Sequence, residues 1–259
     1  MSGLPVVMCV AEKPSLAASI AGFLSDGKHR SRRGGQEVHE FERDFNGARC
    51  HFKVTAVIGH VLSIDFPSKF QSWELDPAIL FDAPVQKKEA TPKARVVEHL
   101  EREAKGASHL ILWLDCDREG ENICFEVIDA CAPVMRPNRG DKFVHRAKFS
   151  AVSKESIERA MRTLGAPNRD EALAVDARQE LDLKVGVAFT RFQTRFFQGR
   201  YSHLDASVIS YGPCQTPTLN FAVQRHLEIV SHAPEDFWSL RVDVRLSLIH
   251  ISEPTRRRG

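Results

Sequence analysis

Five side chains that could act on a phosphate follow two apolar runs of the sequence. Glu12 and Lys13 come directly after the run PVVMCVA. Asp115, Asp117 and Glu119 come after the run HLILWL. Carboxylates that lie close together repel one another unless a hard cation joins them, and Mg²⁺ binds carboxylate oxygens together with water or phosphate. If the two runs are neighbours, these residues predict a divalent metal acting on a phosphodiester, with a lysine placed to neutralise the phosphate.

The two acidic turns each lie between a predicted buried strand and a predicted helix. Short apolar runs of this kind are typical of buried strands, and the residues after each turn have apolar positions at helical spacing. The order strand, helix, strand, helix indicates a parallel sheet with right-handed crossovers. The carboxyl ends of parallel strands share one edge, where such folds bind ligands. We therefore expect Glu12, Asp115 and Asp117 to meet there, with Glu119 close by.

The same residues have a plainer interpretation. Asp115 and Asp117 would be exposed loop carboxylates, and Glu119 would only stabilise a helix N-terminus. Lys13 would be an ordinary surface lysine. The position of Glu12 at the matching strand end favours the functional interpretation.

Further elements follow from turn signals and periodicity. Asn46-Gly47 favours a type I′ turn between strands over 37–45 and 48–57, residues 28–35 are predicted as a solvated loop, and a short strand is expected within 142–149. Helices are predicted from Thr91-Pro92 to Gly106, over 154–164, over 170–198 and from Thr216 onwards. The long helix is expected to bury one apolar side that carries Leu173, Ala177, Leu181, Val185, Phe189, Phe192 and Phe196.

Composition sets limits on the class of protein. The 259 residues are 42% hydrophobic and 27% charged, which is typical of a soluble globular chain of one to two domains. The net charge of +2 is too small to indicate a nucleic-acid or membrane partner by itself. No run approaches the roughly 18 apolar residues that span a bilayer, so no membrane partner is expected. Six cysteines without a CxxC pair indicate a reducing compartment.

Five phrases carry a resemblance to a known family. They are AEKPS, IGHVLSIDF, LDCDREGENICFEV, VDARQELDLKVGVAFTRFQT and SYGPCQTPTL. The first glutamate turn and the DxDxE pattern resemble the TOPRIM module, and the five phrases in order resemble type IA DNA topoisomerases of the topoisomerase III group. AEKPS, ICFEV and YGPCQTPTL are closer to the beta branch than to the alpha branch. The resemblance runs from about residue 6 to about residue 245.

The resemblance implies an α/β fold and a division of the chain. A TOPRIM domain with a Rossmann-like parallel sheet is expected over 1–150. Part of a mostly helical topoisomerase domain that lines a DNA groove is expected over 151–245. Residues 246–259 (LSLIHISEPTRRRG) resemble no part of the family, and we interpret them as an anomalous tail of a truncated chain.

The metal and phosphate roles also come from the resemblance. Glu12, Asp115 and Asp117 would hold the catalytic Mg²⁺, and Glu119 would assist or hold a second ion. Lys13 would contact the scissile phosphate. The expected partner is single-stranded DNA, with RNA as an alternative, in the nucleus with a cytoplasmic pool, and no protein partner is assigned.

Five residues are expected to bind the nucleic acid by the same resemblance: His60, Arg178, Asp182, Gln215 and Thr216. Four of them have a structural alternative. A lone histidine after a strand is usually structural, and an i,i+4 Arg–Asp pair is usually a solvated ion pair. Thr216 would cap its helix in either case.

Other residues of the long helix are left open or assigned to the core. Arg191 and Arg195 could reach the nucleic-acid backbone, although a surface location explains them equally well. Phe189, Phe192, Phe196 and Phe197 are interpreted as core residues rather than as platforms on which bases stack.

The expected nucleophile has no match. In the family, a tyrosine in a Tyr-x-Arg setting attacks phosphorus and forms a covalent 5′-phosphotyrosine. Only Tyr201 and Tyr211 are present, and the second residues after them are His203 and Pro213. The chain is therefore expected to lack the nucleophile. Two alternatives stay open: a fragment that binds single strands without chemistry, and a metal-dependent TOPRIM nuclease.

Overall fold

A six-stranded sheet places the two acidic turns. The computed structural model describes residues 3–137, 142–201, 206–246 and 249–251. In spatial order the strands are β2 (Arg30–Gly34), β3 (Gln36–Phe45), β4 (Ala48–Ala56), β1 (Val6–Ala11), β7 (His109–Trp113) and β8 (Val144–Arg146). Strands β4, β1, β7 and β8 are parallel, whereas β2 and β3 are antiparallel to their neighbours. The sheet is therefore mixed, with a parallel centre.

Helices cover both faces of this sheet. The α-helices that precede residue 214 are α1 (Pro14–Leu24), α2 (Val96–Ala104), α3 (Arg118–Cys131), α4 (Lys154–Arg162) and α5 (Arg169–Phe197). One face packs against α1 and α4, and the other packs against α2 and α3. Strands β5 (Leu62–Asp65) and β6 (Gln86–Glu89) form a small separate sheet. Because both of its faces are covered, the centre of β1 is fully buried, which explains its continuous apolar run.

The chain divides into two compact units, Met1–Pro213 and Cys214–Gly259. The second unit contains α6 (Gln215–Val230) and an antiparallel pair of strands, β9 (Val244–Leu246) and β10 (Ile249–Ile251). Whether a domain boundary falls near residue 150 stays a prediction.

The predicted strand-turn-helix units and the hairpin are confirmed. In the turn between β3 and β4, Asn46 and Gly47 have φ angles of 50° and 79°, as a type I′ turn requires. The helix after the second acidic turn begins at Arg118, earlier than the apolar spacing indicated. It can begin there because Asp117 is its N-cap.

The prediction of a solvated loop over 28–35 is wrong, because β2 occupies most of it. Strand β2 lies at the edge of the sheet and is held by ion pairs. Its sequence therefore lacks the alternating apolar residues by which a strand is usually predicted. Arg32 donates from Nε to Oε1 of Glu40 at 2.9 Å and from Nη1 to Oε1 of Glu103 at 3.1 Å. Charged side chains are common on edge strands because they oppose pairing with other chains.

The helix predicted from Thr91-Pro92 begins later. Residues Pro92–Ala94 form a short 3-10 turn, and α2 begins at Val96. Arg95 between them has a φ angle of 48°, in the left-handed region. That conformation interrupts the helical hydrogen bonds, so the threonine-proline signal marks the turn and not the helix.

The buried side of α5 differs from the predicted one. The residues it buries are Ala172, Val175, Ala188, Arg191 and Thr194. Most members of the predicted apolar side are exposed: Leu173, Leu181, Phe189, Phe192 and Phe196. Small side chains allow α5 to approach α3 closely, and Asn122 of α3 donates to the carbonyl of Ala172 at 3.0 Å. The interpretation of Phe189, Phe192 and Phe196 as core residues is therefore wrong.

Two further features bear on the sequence expectations. All six cysteines are free thiols, and burial raises the pKa of Cys9, Cys124 and Cys131 to about 12. Within the described part of the chain, no helix combines the length and the apolar character needed to cross a bilayer.

Candidate active site

The sheet brings the two acidic turns side by side. Ala11 at the end of β1 pairs with Trp113 at the end of β7, so both turns leave the sheet at the same edge. The backbone N–H of Asp115 donates to Oε2 of Glu12 at 2.9 Å. Glu12 is mostly buried and Asp115 is half-exposed. The contact between them therefore lies at the surface end of the sheet, within reach of a ligand.

Lys13 lies between these two carboxylates. Its Nζ is 3.5 Å from Oδ2 of Asp115 and 3.7 Å from Oε1 of Glu12. The negative charges of Asp115 and then of Glu12 raise the pKa of Lys13. The lysine side chain is 61% exposed, so its ammonium can also face a phosphate from solvent. The pair of carboxylates thus already shares one cation.

Asp117 has a local structural role as well as its predicted one. Its Oδ1 accepts from the N–H of Gly120 at 2.7 Å and caps α3. A Cβ on Gly120 would lie only 2.0 Å from the carbonyl oxygen of Asp115. The acidic turn therefore folds back tightly onto the helix N-terminus, and only glycine fits at this point.

Glu119 contacts two basic side chains from other parts of the chain. Its Oε2 accepts from Nε2 of His60 at 3.1 Å, and its Oε1 accepts from Nη2 of Arg178 at 2.6 Å. Nη1 of Arg178 also donates to Oδ2 of Asp182 at 3.0 Å. The Arg178–Asp182 pair is therefore more than a pair within one helix, because it joins α5 to the N-terminus of α3.

The four predicted metal ligands are divided among separate contacts. Glu12 and Asp115 share Lys13, Asp117 caps α3, and Glu119 contacts His60 and Arg178. Over the ranges that the structure describes, no three His, Cys, Asp or Glu side chains are close enough to hold one metal ion. The donor chemistry nevertheless fits Mg²⁺, because the two carboxylates of Glu12 and Asp115 already face a common cation and all donors are hard oxygens.

The sequence did not indicate the partner that holds His60. Nδ1 of His60 is 3.2 Å from Oε1 of Glu126, and Oε2 of Glu126 accepts from the backbone N–H of Val61 at 2.7 Å. Hydrogen bonding to Glu126 raises the pKa of His60, against the effect of burial. Both ring nitrogens therefore face carboxylates, and the imidazole ring bridges Glu126 and Glu119. Glu119 and Glu126 are seven residues apart, which places them on one face of α3. This spacing was the feature of the sequence that could have indicated Glu126 as a partner of His60.

A buried arginine supports the acidic turn from behind. Arg146 is fully buried and donates to the carbonyls of Leu114 at 2.8 Å and Asp115 at 2.7 Å. Its counter-ion is Glu121, at 2.9 Å, and the other oxygen of Glu121 accepts from the N–H of Asn168 at 2.8 Å. This network joins the turn to the start of α5. An arginine in a short strand gave no sequence signal for this role.

The remaining predicted residues lie elsewhere. Gln215 and Thr216 are the first two residues of α6 in the second unit, so their predicted role stays a prediction. The expectation that Thr216 caps this helix is wrong, because Cys214 is at the N-cap. The helix can start this early because Pro217 is then its third residue, where a missing N–H breaks no helical bond.

Arg191 does not face solvent. It is buried and donates to the carbonyls of Ser72 at 2.9 Å and Gln71 at 3.1 Å. The hypothesis that Arg191 reaches a nucleic-acid backbone is wrong, because its N–H donors hold the segment that contains Gln71 and Ser72. Arg195, on the same helix, is exposed.

Comparisons with known proteins match both parts of the chain. A family model described as "Toprim domain" matches residues 7–151, and one described as "DNA topoisomerase" matches residues 166–256. The chain belongs to the topoisomerase III group of type IA DNA topoisomerases. The second match extends to residue 256 and so includes most of the segment 246–259 that we interpreted as an anomalous tail. The predicted family and the α/β fold class are confirmed.

Individual relatives agree with this assignment. The chain is 58% identical to DNA topoisomerase 3-beta of Arabidopsis thaliana over 95% of this chain and 28% of that relative. It is 53% identical to human DNA topoisomerase 3-beta-1 over 93% of this chain and 29% of the relative. It is 46% identical to DNA topoisomerase 3-alpha of Arabidopsis thaliana over 92% of this chain and 26% of the relative. The chain thus spans less than a third of the length of these relatives and is more similar to the beta proteins.

Proposed function

We propose that this chain provides the metal-binding and strand-gripping part of a type IA DNA topoisomerase. Such an enzyme cuts one strand, passes another through the break and reseals it. The observation that carries the proposal is the shared contact of Glu12, Lys13 and Asp115 at the edge where the parallel strands end. The relatives named DNA topoisomerase support it.

The side chains of the site can be given roles in that reaction. Glu12 and Asp115 would hold the Mg²⁺ together with the second oxygen of Asp117, and Glu119 would assist. When bound, the ion supplies Lewis-acid stabilisation of a phosphoryl oxygen. Lys13 neutralises the scissile phosphate by a charge-assisted hydrogen bond.

Strand binding is proposed for the groups that surround Glu119. Arg178 is half-exposed, and while Glu119 and Asp182 each hold one terminal nitrogen of its guanidinium, its remaining N–H groups can contact a backbone phosphate. His60 lies beside it and is held by Glu126. Gln215 and Thr216 are proposed as further contacts at a helix N-terminus, where unpaired N–H groups suit a phosphate. The proposed partner is single-stranded DNA, with RNA as an alternative, in the nucleus and in a cytoplasmic pool.

The metal site can be tested with Mn²⁺, whose electron paramagnetic resonance signal reports the free ion. Glu12→Gln and Asp115→Asn should each weaken Mn²⁺ binding about tenfold or more, because each removes a charged oxygen ligand. Lys13→Met should strengthen binding, because the ammonium competes for the same two carboxylates. Glu98→Gln, at an exposed position of α2, is the matched control.

Two results of this titration would contradict the metal site. One is Mn²⁺ binding by Glu12→Gln and Asp115→Asn that is as tight as in the wild type. The other is an equal loss in Glu98→Gln, because that result would show a general effect of surface charge.

A second candidate function is strand binding without cleavage. It is favoured by the absence of a Tyr-x-Arg setting around Tyr201 and Tyr211. The two candidates make the same use of Arg178 and His60. They differ in whether the chain forms a covalent bond to DNA.

A further inference from the structure

The distal half of α5 presents an exposed row of aromatic rings. We define the aromatic stripe as Phe189, Phe192, Phe196 and Arg200. The phenylalanines are 43%, 58% and 42% exposed. Phe192 and Phe196 stack with their ring centroids 6.1 Å apart and an angle of 19° between the ring planes. Several exposed aromatic rings in one row are unusual on the surface of a soluble protein and mark an interaction site.

Arginine extends the stripe beyond the helix. The guanidinium carbon of Arg200 lies 3.9 Å from the centroid of Phe196, so the planar cation stacks on that ring. Arg195 is exposed on the same segment. In the described part of the chain no carboxylate pairs with either arginine. Both cations are therefore available to an anionic ligand.

The charge of this segment is one-sided. Between Lys184 and Tyr201 the sequence contains three basic residues, of which Arg195 and Arg200 are exposed, and no aspartate or glutamate. A purely apolar partner would not require these cations, whereas a nucleic-acid strand offers both phosphates and the flat faces of its bases. Unpaired bases stack on aromatic rings, and arginine adds both stacking and phosphate contact.

The stripe lies on the same face of α5 as Arg178 of the candidate active site. At 3.6 residues per turn, Arg178 shares its face of α5 with Phe189 and Phe196. Phe196 lies about 27 Å along the helix from Arg178. Beside Phe189 and Phe192 is an apolar groove of about 340 Å³. A strand held at Arg178 can therefore continue along this face.

We infer that the aromatic stripe is a stacking platform for the bases of single-stranded DNA that leaves the candidate active site. The inference rests on the proposed function and adds a second contact region to it. The phosphates face Arg195 and Arg200, and the bases face the phenylalanine rings. Binding on the stripe requires no divalent metal.

The test measures fluorescence anisotropy of a labelled oligo(dT) of about 12 nucleotides at low salt with EDTA. The double variant Phe192→Ala and Phe196→Ala should raise the Kd about tenfold or more, because each lost stacking contact is worth roughly 1–3 kcal/mol. The corresponding double tyrosine variant should bind like the wild type. Leu173→Ala is the matched control, since Leu173 is an exposed apolar residue on another face of α5.

Two further measurements separate bases from phosphates. An abasic oligonucleotide of the same length should bind the wild type as weakly as oligo(dT) binds the double alanine variant. Arg200→Ala should reduce the slope of log K against log salt by about 0.7, the value for one phosphate contact on a single strand. Thermal unfolding checks that each variant is folded.

The outcomes distinguish the stripe from the active site. If the double alanine variant binds oligo(dT) like the wild type while Arg178→Ala binds weakly, the stripe inference is overturned and the proposed function stands. If the wild-type chain does not bind oligo(dT) at all, both are overturned. If the stripe variants alone lose affinity, the stripe is supported whatever the Mn²⁺ titration shows.

Discussion

Gly120 is the residue that most directly fixes the shape of the acidic turn. A Cβ at this position would lie only 2.0 Å from the carbonyl oxygen of Asp115, so no side chain fits. The N–H of Gly120 is also the donor to Asp117. One position thus sets the backbone of Asp115 and the side chain of Asp117 together, while Arg146 holds the same carbonyl from the other direction.

Gly120→Ala should destabilise the chain by about 1–3 kcal/mol, because the added methyl group forces the turn away from α3. Mn²⁺ affinity should fall as well, since Asp115 moves. Thermal unfolding and the Mn²⁺ titration measure the two effects. Gly22→Ala is the control: it also lies in a helix, a Cβ there meets nothing within 4 Å, and it should be neutral or slightly stabilising. A Gly120→Ala protein that unfolds at the wild-type temperature would contradict the steric argument.

At the scale of elements, Glu103 joins α2 to the edge of the sheet. It accepts hydrogen bonds from Arg32 of β2 and lies 3.5 Å from Nζ of Lys53 on β4. Burial alone would raise the pKa of Glu103, but the hydrogen bonds and charge of Arg32 lower it from 4.5 to about 2. The strand that the apolar pattern missed is therefore held by one buried carboxylate.

This pKa makes stability depend on pH. Because the pKa of Glu103 is lower in the folded chain than in the unfolded chain, ionised Glu103 stabilises the fold above about 4.5, and this contribution is lost as the pH falls towards about 2. Glu103→Gln should lower the free energy of unfolding by roughly 3 kcal/mol at neutral pH and far less in acid. Denaturant unfolding at several pH values measures this. The control is Glu101→Gln on the exposed side of α2, and an equal loss at all pH values would refute the assignment.

At the scale of the whole molecule, the sequence predicted what depends on local pattern. Strands β1 and β7 were found because buried parallel strands are continuous apolar runs. The buried side of α5 was not, because periodicity locates an apolar stripe without showing whether a neighbour covers it. The five residues around the acidic turns could be named from their types. Their contacts could not, because the pairing of Glu119 with His60 and Arg178 depends on how distant segments pack.

The absence of a Tyr-x-Arg setting around Tyr201 and Tyr211 gives a prediction for this chain of 259 residues. Incubated with supercoiled plasmid and Mg²⁺, it should neither relax the DNA nor form a covalent adduct with it, because no assigned nucleophile is present. Gel electrophoresis with and without protein denaturation measures both. Tyr201→Phe and Tyr211→Phe are the controls. Relaxation that disappears in either variant would show that this tyrosine is the nucleophile.

The central place of β1 in the sheet also constrains the order of folding. Val7 pairs with Phe52 on one side and with His109 on the other. During synthesis β1 is made before either neighbour, so both of its edges stay unpaired until β4 and then β7 have emerged. Pairing across such long sequence separations is slow, and open strand edges are prone to aggregate. The same arrangement that brings Glu12 beside Asp115 therefore delays completion of the acidic site until most of the first unit has been synthesised.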